Sequence, residues 1–391
     1  MEVNSLYGVI VVGGGPAGLA AAVTLSRGGK KVLLLEKYKN TGRKILLSGN
    51  GRCNITNTLA APDKYYGDKK FIQNFLSLFS FNDCKKFLLS LGVVIEEEAD
   101  GRCFPVTGKA ESVKRAFELA LKETGAAIIT EAEAADFKKQ KDFFEVKLKD
   151  GRVFTSEYLV LACGGAANAG ENAYSPAKNF GHTVTPLLPA MAALELIGTE
   201  ALHGVRLNAA VSLDGRTETG EIIFTNSTLS GLPVLSLSRN AERGAEIKIN
   251  FFPQFEKTEF AKYIKERAAA FQDRKLEDFF AGLLPDGLAL YLLQYLKLPK
   301  TVLAGRADSA KISSTLQNFP FEIKGIKGFA QAMSTRGGVP LGELKQNFSS
   351  KNVKKLFIIG ETADIDAVCG GYSLHLAFAS GVISAKSILA D

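Results

Sequence analysis

Apolar residues form short continuous runs near both ends of this chain, and they alternate with polar residues in its middle. Near the start, the run Val9–Val12 precedes a segment rich in glycine and alanine, and a second run over 31–35 follows it. Near the end, a run over 356–360 precedes an amphipathic stretch over 373–389. Continuous apolar runs are typical of buried parallel strands, so each end predicts a strand–helix unit of an α/β sheet.

The middle of the chain predicts helices first and antiparallel strands afterwards. Aromatic and leucine residues at core spacing predict a helix over 70–91, and residues 110–124 predict a second helix. Alternating apolar and polar residues over 190–252 predict an antiparallel β subdomain. The other predicted elements are short strands at 126–130, 143–148 and 153–155, a buried strand over 158–162, a helix-rich segment over 256–308, and strands again near 319–340.

The two ends share the same order of strand, glycines and helix, so the simplest architecture is one domain split by an insertion. We expect residues 1–189 and 335–391 to form this split nucleotide-binding domain. Residues 190–255 and 310–334 are expected to form a β-rich insert. Residues 256–309 are expected to form a helical subdomain within it.

A glycine-rich motif lies between the first two predicted strands. Gly13 permits a tight turn, Gly15 lets the backbone approach a pyrophosphate, and Gly18 lets the following helix pack closely on the sheet. Glu36 ends the second strand, where an acidic side chain can accept hydrogen bonds from a ribose. The glycine pattern alone is common, but here the strand, the helix and the acid accompany it. The motif therefore predicts a dinucleotide-binding βαβ unit.

Composition and charge exclude several classes of protein. No apolar stretch approaches the roughly 20 residues of a membrane span, and the start lacks a signal-peptide pattern, so we expect a cytoplasmic protein without membrane contact. The five cysteines and three histidines are scattered, which predicts neither a metal site nor a disulfide framework. The net charge of +7 comes from dispersed lysines and arginines. This dispersion disfavours nucleic-acid binding and leaves a mild attraction for anionic ligands.

Three further segments resemble the aminoacetone-oxidase-like (BaiN/YhiN-type) family of bacterial FAD-dependent flavoproteins. They are TGRKILLSGNGRCNITN at 41–57, GEIIFTNSTLSGLPVLS at 220–236, and STRGGVPLGEL with LFIIGETADIDAVCGGYSLHLAFASG within 334–381. The resemblance covers nearly the whole chain. It implies an α/β fold: an FAD-binding Rossmann-like domain of the glutathione-reductase type, an inserted antiparallel β-barrel-like domain and a small helical subdomain. It also implies non-covalent FAD, whereas the substrates of the family, amines and bile acids among them, differ between members.

The predicted cofactor contacts come from both ends of the chain. Glycines of the loop over 42–54 expose backbone N–H donors beside basic side chains, which can neutralise a pyrophosphate. By the resemblance, Glu361 or Asp364 binds the ribityl hydroxyls; the alternative is a helix or turn cap. The predicted cofactor-binding residues are Gly13, Gly15, Pro16, Ala17, Gly18, Glu36, Lys37, Arg43, Lys44, Ser48, Gly49, Asn50, Gly51, Arg52, Cys53, Asn54, Gly164, Gly360, Glu361, Asp364, Gly370, Gly371 and Tyr372.

The sequence names candidates for catalysis but no catalytic base. Arg336 is a candidate for contact with an anion or a carbonyl, and the alternative is a surface salt bridge. His375 replaces the glutamine frequent in relatives and either faces the flavin or packs in the core, and Tyr372 leads into the same last helix. If that helix points its N-terminus at the flavin pyrimidine, its dipole stabilises the negative charge of reduction.

The cysteines and the remaining histidine are expected to be structural. Cys163 and Cys369 stand where the family usually has threonine, so both departures can fall near the cofactor. No CxxC motif or basic pair activates either one, and buried, unreactive thiols are the expected state, as for Cys53. His182 is expected to be structural.

The sequence leaves two directions of electron flow open. FAD would take a hydride from a small substrate such as an amine and pass electrons to O2 or another acceptor. Alternatively, NAD(P)H would reduce FAD, which would then reduce an organic, for example steroid-like, substrate. No second dinucleotide fingerprint occurs between 190 and 334, which favours an oxidase or a transient NAD(P)H site. An RNA-modifying flavoprotein and a redox sensor are further alternatives, and the sequence does not determine the oligomeric state.

Overall fold

The computed structural model describes residues 4–167 and 170–391. The strands are β1 (Asn4–Val12), β2 (Val32–Leu35), β3 (Thr56–Asn57), β4 (Tyr65–Tyr66), β5 (Ile95–Glu97), β6 (Arg102–Pro105), β7 (Ala127–Ile129), β8 (Ala134–Lys139), β9 (Phe144–Leu148), β10 (Val153–Leu161), β11 (Leu188–Ala190), β12 (Leu194–Leu196), β13 (Arg206–Leu213), β14 (Arg216–Thr225), β15 (Thr228–Ser230), β16 (Glu246–Asn250), β17 (Phe319–Ile326), β18 (Ser334–Arg336), β19 (Leu356–Ile358) and β20 (Asp366–Ala367). The α-helices are α1 (Pro16–Arg27), α2 (Arg43–Leu47), α3 (Lys69–Leu78), α4 (Phe81–Ser90), α5 (Ala110–Glu123), α6 (Ser175–Asn179), α7 (Leu232–Leu237), α8 (Lys257–Ala270), α9 (Leu276–Phe279), α10 (Asp286–Tyr295), α11 (Ser309–Leu316) and α12 (Tyr372–Leu389).

The chain divides into two units. The first unit comprises Met1–Leu188 and Ser334–Asp391, and the second comprises Pro189–Met333. The helices of 256–309 belong to the second unit; their separation as a subdomain of their own stays a prediction.

A mixed sheet organises the first unit. Its strands lie in the order β7-β2-β1-β10, and β10 pairs with both β9 and β19. The pairs β7–β2, β2–β1, β1–β10 and β10–β19 are parallel, whereas β9 pairs antiparallel with β10 and with β8. Residues Val9–Val12 of β1, all of β2 and β19, and most of β10 are buried, as their continuous apolar runs require. Since β1 and β19 both contact β10, the two ends of the chain meet in one sheet.

Helices α1 and α12 pack against each other through small residues. A Cβ atom added to Gly381 of α12 would lie 2.4 Å from the carbonyl oxygen of Ala17 in α1, so a larger residue would force the helices apart. Residues Leu19 to Val23 of α1 and Phe378 of α12 are fully buried between the sheet and its covering helices. This contact joins the first turn of α1 to the middle of α12.

The second unit is a closed six-stranded barrel with helices packed on it. The barrel order is β12-β15-β14-β13-β16-β17, and its strand pairs are antiparallel. Inward residues of the strands share one hydrophobic core with helices α8, α9, α10 and α11, through side chains such as Phe260, Leu288 and Leu316. The predicted antiparallel insert is therefore confirmed as a barrel.

The helix predicted over 70–91 is wrong as a single element, because it is two helices, α3 and α4. The first helix ends before Phe79, and Ser80 is the N-cap of α4. Ser80 and Asp83 form a capping box, in which the side chain of each residue accepts from the backbone N–H of the other. Leu78 is 50% exposed at the end of α3. The structure adds β8, which the sequence did not predict, and joins the strands predicted at 153–155 and 158–162 into β10. No helix among the described residues combines the length and apolarity needed to cross a membrane.

Candidate functional site

The glycine-rich motif forms the turn between β1 and α1. Gly15 is the N-cap of α1 in an extended conformation, and Pro16 occupies the start of the helix. A Cβ atom on Gly18 would lie 1.9 Å from the carbonyl oxygen of Gly13, so only glycine permits this approach. A Cβ atom on Gly15 would meet nothing within 4 Å. The space beside Gly15 is thus open at the first turn of α1, where N–H groups lack helical partners.

Glu36 lies buried beside this turn, after β2. Its Oε2 accepts a hydrogen bond from Gly14 N at 2.7 Å, and its Oε1 accepts one from Tyr38 N at 2.9 Å. The neighbouring Lys37 places Nζ 4.9 Å from the centroid of the Tyr38 ring. Each carboxylate oxygen retains a further lone pair, so Glu36 can still accept from ribose hydroxyls.

The segment over 41–57, predicted as a polar loop, contains α2 and ends in β3. Between these elements Gly49, Asn50, Gly51 and Cys53 all have positive φ angles, between 53° and 80°. The turn is closed by a hydrogen bond from Cys53 N to the Ser48 carbonyl at 3.1 Å. Left-handed conformations favour glycine and asparagine, which explains the composition of this segment.

The apolar residues of α2 are only partly buried. Ile45 is fully buried, but Leu47 is 57% exposed. The difference arises because α2 has one buried face, so two adjacent leucines cannot both point inward.

The three basic residues predicted to face the pyrophosphate each contact a protein group. Because these contacts hold the side chains in place, their role toward a phosphate stays a prediction. The contacts are Arg43 with the Tyr38 ring at 3.7 Å, Lys44 with the Glu361 carboxylate, and Arg52 with the Phe104 ring at 4.1 Å and with Glu98 at 2.8 Å.

Glu361, at the end of β19, is the most connected acid of the site. Its Oε2 accepts from Lys44 Nζ, and its Oε1 accepts from Ser334 Oγ at 3.0 Å and from Thr335 N at 2.5 Å. Thr335 Oγ1 in turn accepts from Ala167 N at 2.9 Å. Residues from three distant parts of the sequence therefore meet at one carboxylate. Sequence reasoning missed Ser334 and Thr335, since no local pattern connects them to Glu361.

The other predicted residues near β19 bind the surrounding backbone or side chains. Gly360 has a φ of +63°, and its N donates to Ser380 Oγ of α12 at 3.0 Å. Asp364 accepts a hydrogen bond from Thr185 Oγ1 at 2.9 Å, and this bond fixes the orientation of its carboxylate. The carbonyl of Gly164 accepts from Thr362 Oγ1 at 3.3 Å.

The start of α12 packs against the segment before β3. Gly371 is the N-cap, with a φ of +94°, and a Cβ atom there would lie 2.6 Å from both Asn54 Oδ1 and the Thr56 carbonyl oxygen. Asn57 Nδ2 donates to the Gly370 carbonyl at 3.0 Å. Asn54 Oδ1 is buried and has no hydrogen-bond partner among the described residues. An unpartnered buried acceptor costs free energy, which a bound donor would recover.

Of the candidates for catalysis, only Arg336 is exposed. It lies on β18 directly after Thr335 and forms no ion pair within residues 4–167 and 170–391. Tyr372 is 4% exposed and packs edge-on against Tyr65, and burial raises its pKa to about 12. His375 is fully buried, so the packed alternative holds for its side chain.

Two of the cysteines expected to be inert are protonated thiols, of which Cys53 is buried and Cys163 is half-buried. Burial raises the pKa of Cys53 and of Cys163 to about 12. Cys163 Sγ lies 3.8 Å from the carbonyl oxygen of Val12. A thiol with such a pKa is no nucleophile near neutral pH.

His182 belongs to a Ser–His–Glu array with a structural role. Its Nδ1 lies 2.7 Å from Glu343 Oε2, and its Nε2 lies 2.8 Å from Ser350 Oγ. Ser350 Oγ also accepts from Asn352 N and Val353 N, at 3.0 and 2.9 Å. With both lone pairs occupied, this hydroxyl is unsuited to nucleophilic attack. The array fastens two segments of the first unit together, as expected for a structural histidine.

These residues fit an FAD molecule. The open face of Gly15 at α1 would receive the diphosphate, whose charge the helix dipole stabilises. The unpartnered Asn54 oxygen and the glycine-started α12 would receive the flavin, which carries an N–H donor and acceptor oxygens. Glu36, beside the turn before α1, and Glu361, after β19, are acids that can accept hydrogen bonds from hydroxyl groups of the cofactor. The contacts of individual residues with FAD stay proposals.

A family model described as "HI0933-like protein Rossmann domain" matches residues 7–387. The 3-dehydro-bile acid delta(4,6)-reductase of Clostridium scindens is 29% identical over 96% of this chain and 98% of its own length. The ribosomal RNA dihydrouridine synthases of Escherichia coli and Haemophilus influenzae are 28% and 26% identical, over 98% and 97% of this chain and 98% of their own lengths.

Solved structures share the fold. The 3-ketosteroid-delta4-(5alpha)-dehydrogenase of Rhodococcus jostii RHA1 gives a TM-score of 0.54 at 15% identity, covering 100% of this chain and 98% of that one. A flavocytochrome c3 fumarate reductase gives 0.51 at 16% identity, covering 100% and 79%. The predicted α/β fold with a Rossmann-like domain and an inserted antiparallel barrel is confirmed. The chain belongs to the HI0933-like family and is an FAD-dependent oxidoreductase.

Proposed function

We propose that this flavoprotein reduces a carbon–carbon double bond conjugated to a carbonyl group, with NAD(P)H as the electron donor. The names of its full-length relatives support this. One names the reduction of the Δ4 and Δ6 bonds of a 3-dehydro-bile acid. The other names dihydrouridine, which is uridine with its ring double bond reduced. Both bonds are conjugated to a ring carbonyl, so one reaction class accounts for both names.

The reaction balances as one double bond, one NAD(P)H and one proton giving a saturated bond and NAD(P)+. Bound FAD, once reduced, supplies the hydride. Arg336 would donate hydrogen bonds to the carbonyl oxygen of the substrate, where negative charge accumulates as the hydride adds to the double bond. Its exposure and its lack of an ion pair within the described ranges leave the guanidinium available for this contact.

Between the two substrates, we propose uridine in RNA. Two relatives from different bacteria carry the name of an enzyme that acts on ribosomal RNA, which supports this choice. The net charge of +7 adds only a mild attraction for a polyanion, because the basic residues do not cluster in the sequence. The basic residues are dispersed along the sequence, so we expect phosphate contacts spread over the surface. The binding of RNA should then weaken steeply with added salt.

The test begins with FAD-loaded protein that NADPH has reduced without oxygen. An unmodified ribosomal RNA transcript, a 3-oxo-Δ4,6 bile acid and buffer are added separately. The account predicts that RNA restores the yellow flavin absorbance and that mass spectrometry finds uridine with two added hydrogens. Restoration by the bile acid alone would retain the reductase and overturn the RNA substrate. A different outcome would replace the reductase by the amine oxidase. In that outcome neither compound reoxidises the flavin, whereas aminoacetone reduces oxidised flavin, which air then reoxidises.

The role of Arg336 is tested with a matched pair of variants. Arg336→Gln should slow flavin reoxidation by RNA by about a hundredfold, as loss of a preorganised donor does. Arg115→Gln changes an exposed arginine on α5 and should leave the rate unchanged. Equal rates for both variants would remove Arg336 from the mechanism.

A further inference from the structure

His375 makes two hydrogen bonds in the interior of the first unit, one turn into α12. Its Nδ1 lies 2.8 Å from Thr56 Oγ1, and its Nε2 lies 3.2 Å from the carbonyl oxygen of Phe79. A carbonyl oxygen only accepts, so Nε2 carries a hydrogen. Because burial lowers the pKa of His375 to about 4, Nδ1 is unprotonated near neutral pH and accepts from the Thr56 hydroxyl. The imidazole is therefore neutral and has one defined tautomer.

Thr56 connects this histidine to the segment that faces the start of α12. The residue lies on β3 and pairs with Cys103 of β6. Two residues before it, Asn54 carries the unpartnered oxygen that approaches Gly371. The segment contacts the backbone of Gly370 and Gly371 at the start of α12, whereas Thr56 bonds a side chain of α12, that of His375. His375 thus couples the helix to the segment independently of the backbone packing at Gly371.

We propose that His375 is a positioning residue for the flavin, which holds the N-terminus of α12 and the Asn54 oxygen at a fixed separation. It acts through Thr56 and the helix and does not itself touch the cofactor. The first-turn N–H groups of α12 and the Asn54 oxygen would then both be in place to bind the flavin, and neither would need to move when FAD binds. This rests on the FAD site assigned above and is independent of the proposed substrate.

The surroundings keep this arrangement constant over the range in which the protein works. Burial lowers the pKa of His375 to about 4, and only the Phe79 carbonyl and the carboxylate of Asp83 on α4 oppose this effect. Cys84, on the same helix, is a buried thiol that contacts Thr56, and its pKa is raised to about 12. All groups facing the imidazole thus keep one protonation state between about pH 6 and 9.

Glutamine and leucine at position 375 separate positioning from packing. A glutamine amide offers one acceptor oxygen and one N–H donor, the same pair as the neutral imidazole. His375→Gln should therefore change the rate constant of FAD dissociation by less than about twofold. The equilibrium constant for flavin reduction, which sets the midpoint potential, should also change by less than about twofold. His375→Leu fills the space without either bond and should raise the dissociation rate about tenfold and shift the potential, because the helix N-terminus is no longer fixed.

A second pair of variants addresses the other end of the bond. Thr56→Val removes the hydroxyl at nearly constant volume, whereas Thr56→Ser keeps it. Valine should reproduce the effect of leucine at 375, and serine should not. This pair remains informative should His375→Leu fail to fold.

His182 provides the control for a merely structural effect. It is equally buried, makes two side-chain hydrogen bonds, and lies in the same unit away from α12. His182→Leu should lower the midpoint temperature of unfolding and leave FAD dissociation and potential unchanged. If His375→Leu and Thr56→Val also lower only the unfolding temperature, the positioning role is overturned.

Discussion

Two kinds of helix start occur in the first unit. Helices α1 and α12 begin on Gly15 and Gly371, with no side-chain cap and no acid in the first turn. Helices α3 and α4 begin on Asp68 and Ser80, which accept hydrogen bonds from N–H groups of their own first turns at 2.7 and 3.3 Å. The first kind leaves its N–H groups and positive dipole end for a ligand, whereas the second satisfies one first-turn N–H group with a side chain of the protein.

Helix α5 shows that a missing cap alone does not mark a ligand site. It follows Lys109 without a side-chain cap, but Glu111 supplies negative charge in its first turn. Among the helices of eight or more residues in the described part of the first unit, α1 and α12 alone lack both. The comparison thus selects the two helices that the family's cofactor would contact.

The largest effect is expected from converting one kind of start into the other. Gly15→Asp places a capping carboxylate where a Cβ atom meets no neighbour, so the FAD-free protein should be as stable as wild type or more stable by about 1 kcal/mol. The carboxylate would occupy the N–H groups and repel the diphosphate, weakening FAD binding at least about a hundredfold. Flavin fluorescence titration and thermal unfolding measure the two quantities.

Gly18→Ala is the contrasting change in the same motif. Its Cβ atom would collide with the Gly13 carbonyl at 1.9 Å, so this variant should lose stability before any ligand is added. Wild-type FAD affinity in Gly15→Asp would contradict a diphosphate site at α1.

An intermediate effect is expected at the start of α12. Asn54→Ala removes a buried oxygen without a described partner, so the FAD-free protein should gain up to about 1–3 kcal/mol or stay unchanged. FAD binding should weaken about tenfold, since the flavin loses an acceptor. Asn57→Ala instead breaks the bond to the Gly370 carbonyl and should destabilise the FAD-free protein. Chemical unfolding that ranks the two variants in the opposite order would exclude Asn54 as a ligand group.

The smallest effect is expected at a capped start. Ser80→Ala should cost about 1 kcal/mol in the free energy of unfolding and leave FAD affinity unchanged. Hydrogen bonds from Ser80 lower the pKa of Asp83, so the stabilisation is present above the unfolded-state pKa, near about 4, and is lost as the pH falls through the lower folded-state pKa. Urea unfolding of Ser80→Ala should accordingly show a weaker loss of stability in acid than wild type. A change in FAD affinity would show that α4 also contributes to the site.

The sequence predicted features that depend on neighbouring residues. The turn at Gly13–Gly18, the buried strands and the last helix follow from local runs and spacing. The break between α3 and α4 also had a local signal, since Ser80 and Asp83 have the spacing of a capping box. Apolar residues at helical spacing continue on both sides of the break, and they led to the prediction of one helix. The contacts of Glu361 with Lys44 and of His375 with Thr56 join residues more than 300 positions apart. Only the packed fold brings such pairs together, and no local pattern contains them.

Amide hydrogen exchange of the first unit, with and without FAD, tests the central claim most directly. The account predicts that FAD slows exchange at Gly15, Ala17 and Gly18 and at 371–375, the starts of α1 and α12. It predicts no change at 69–72 and 81–84, where a side-chain cap already accepts from Phe71 N and from Asp83 N. Protection of both capped starts, or of neither uncapped start, would contradict the assignment of the cofactor to these two helices.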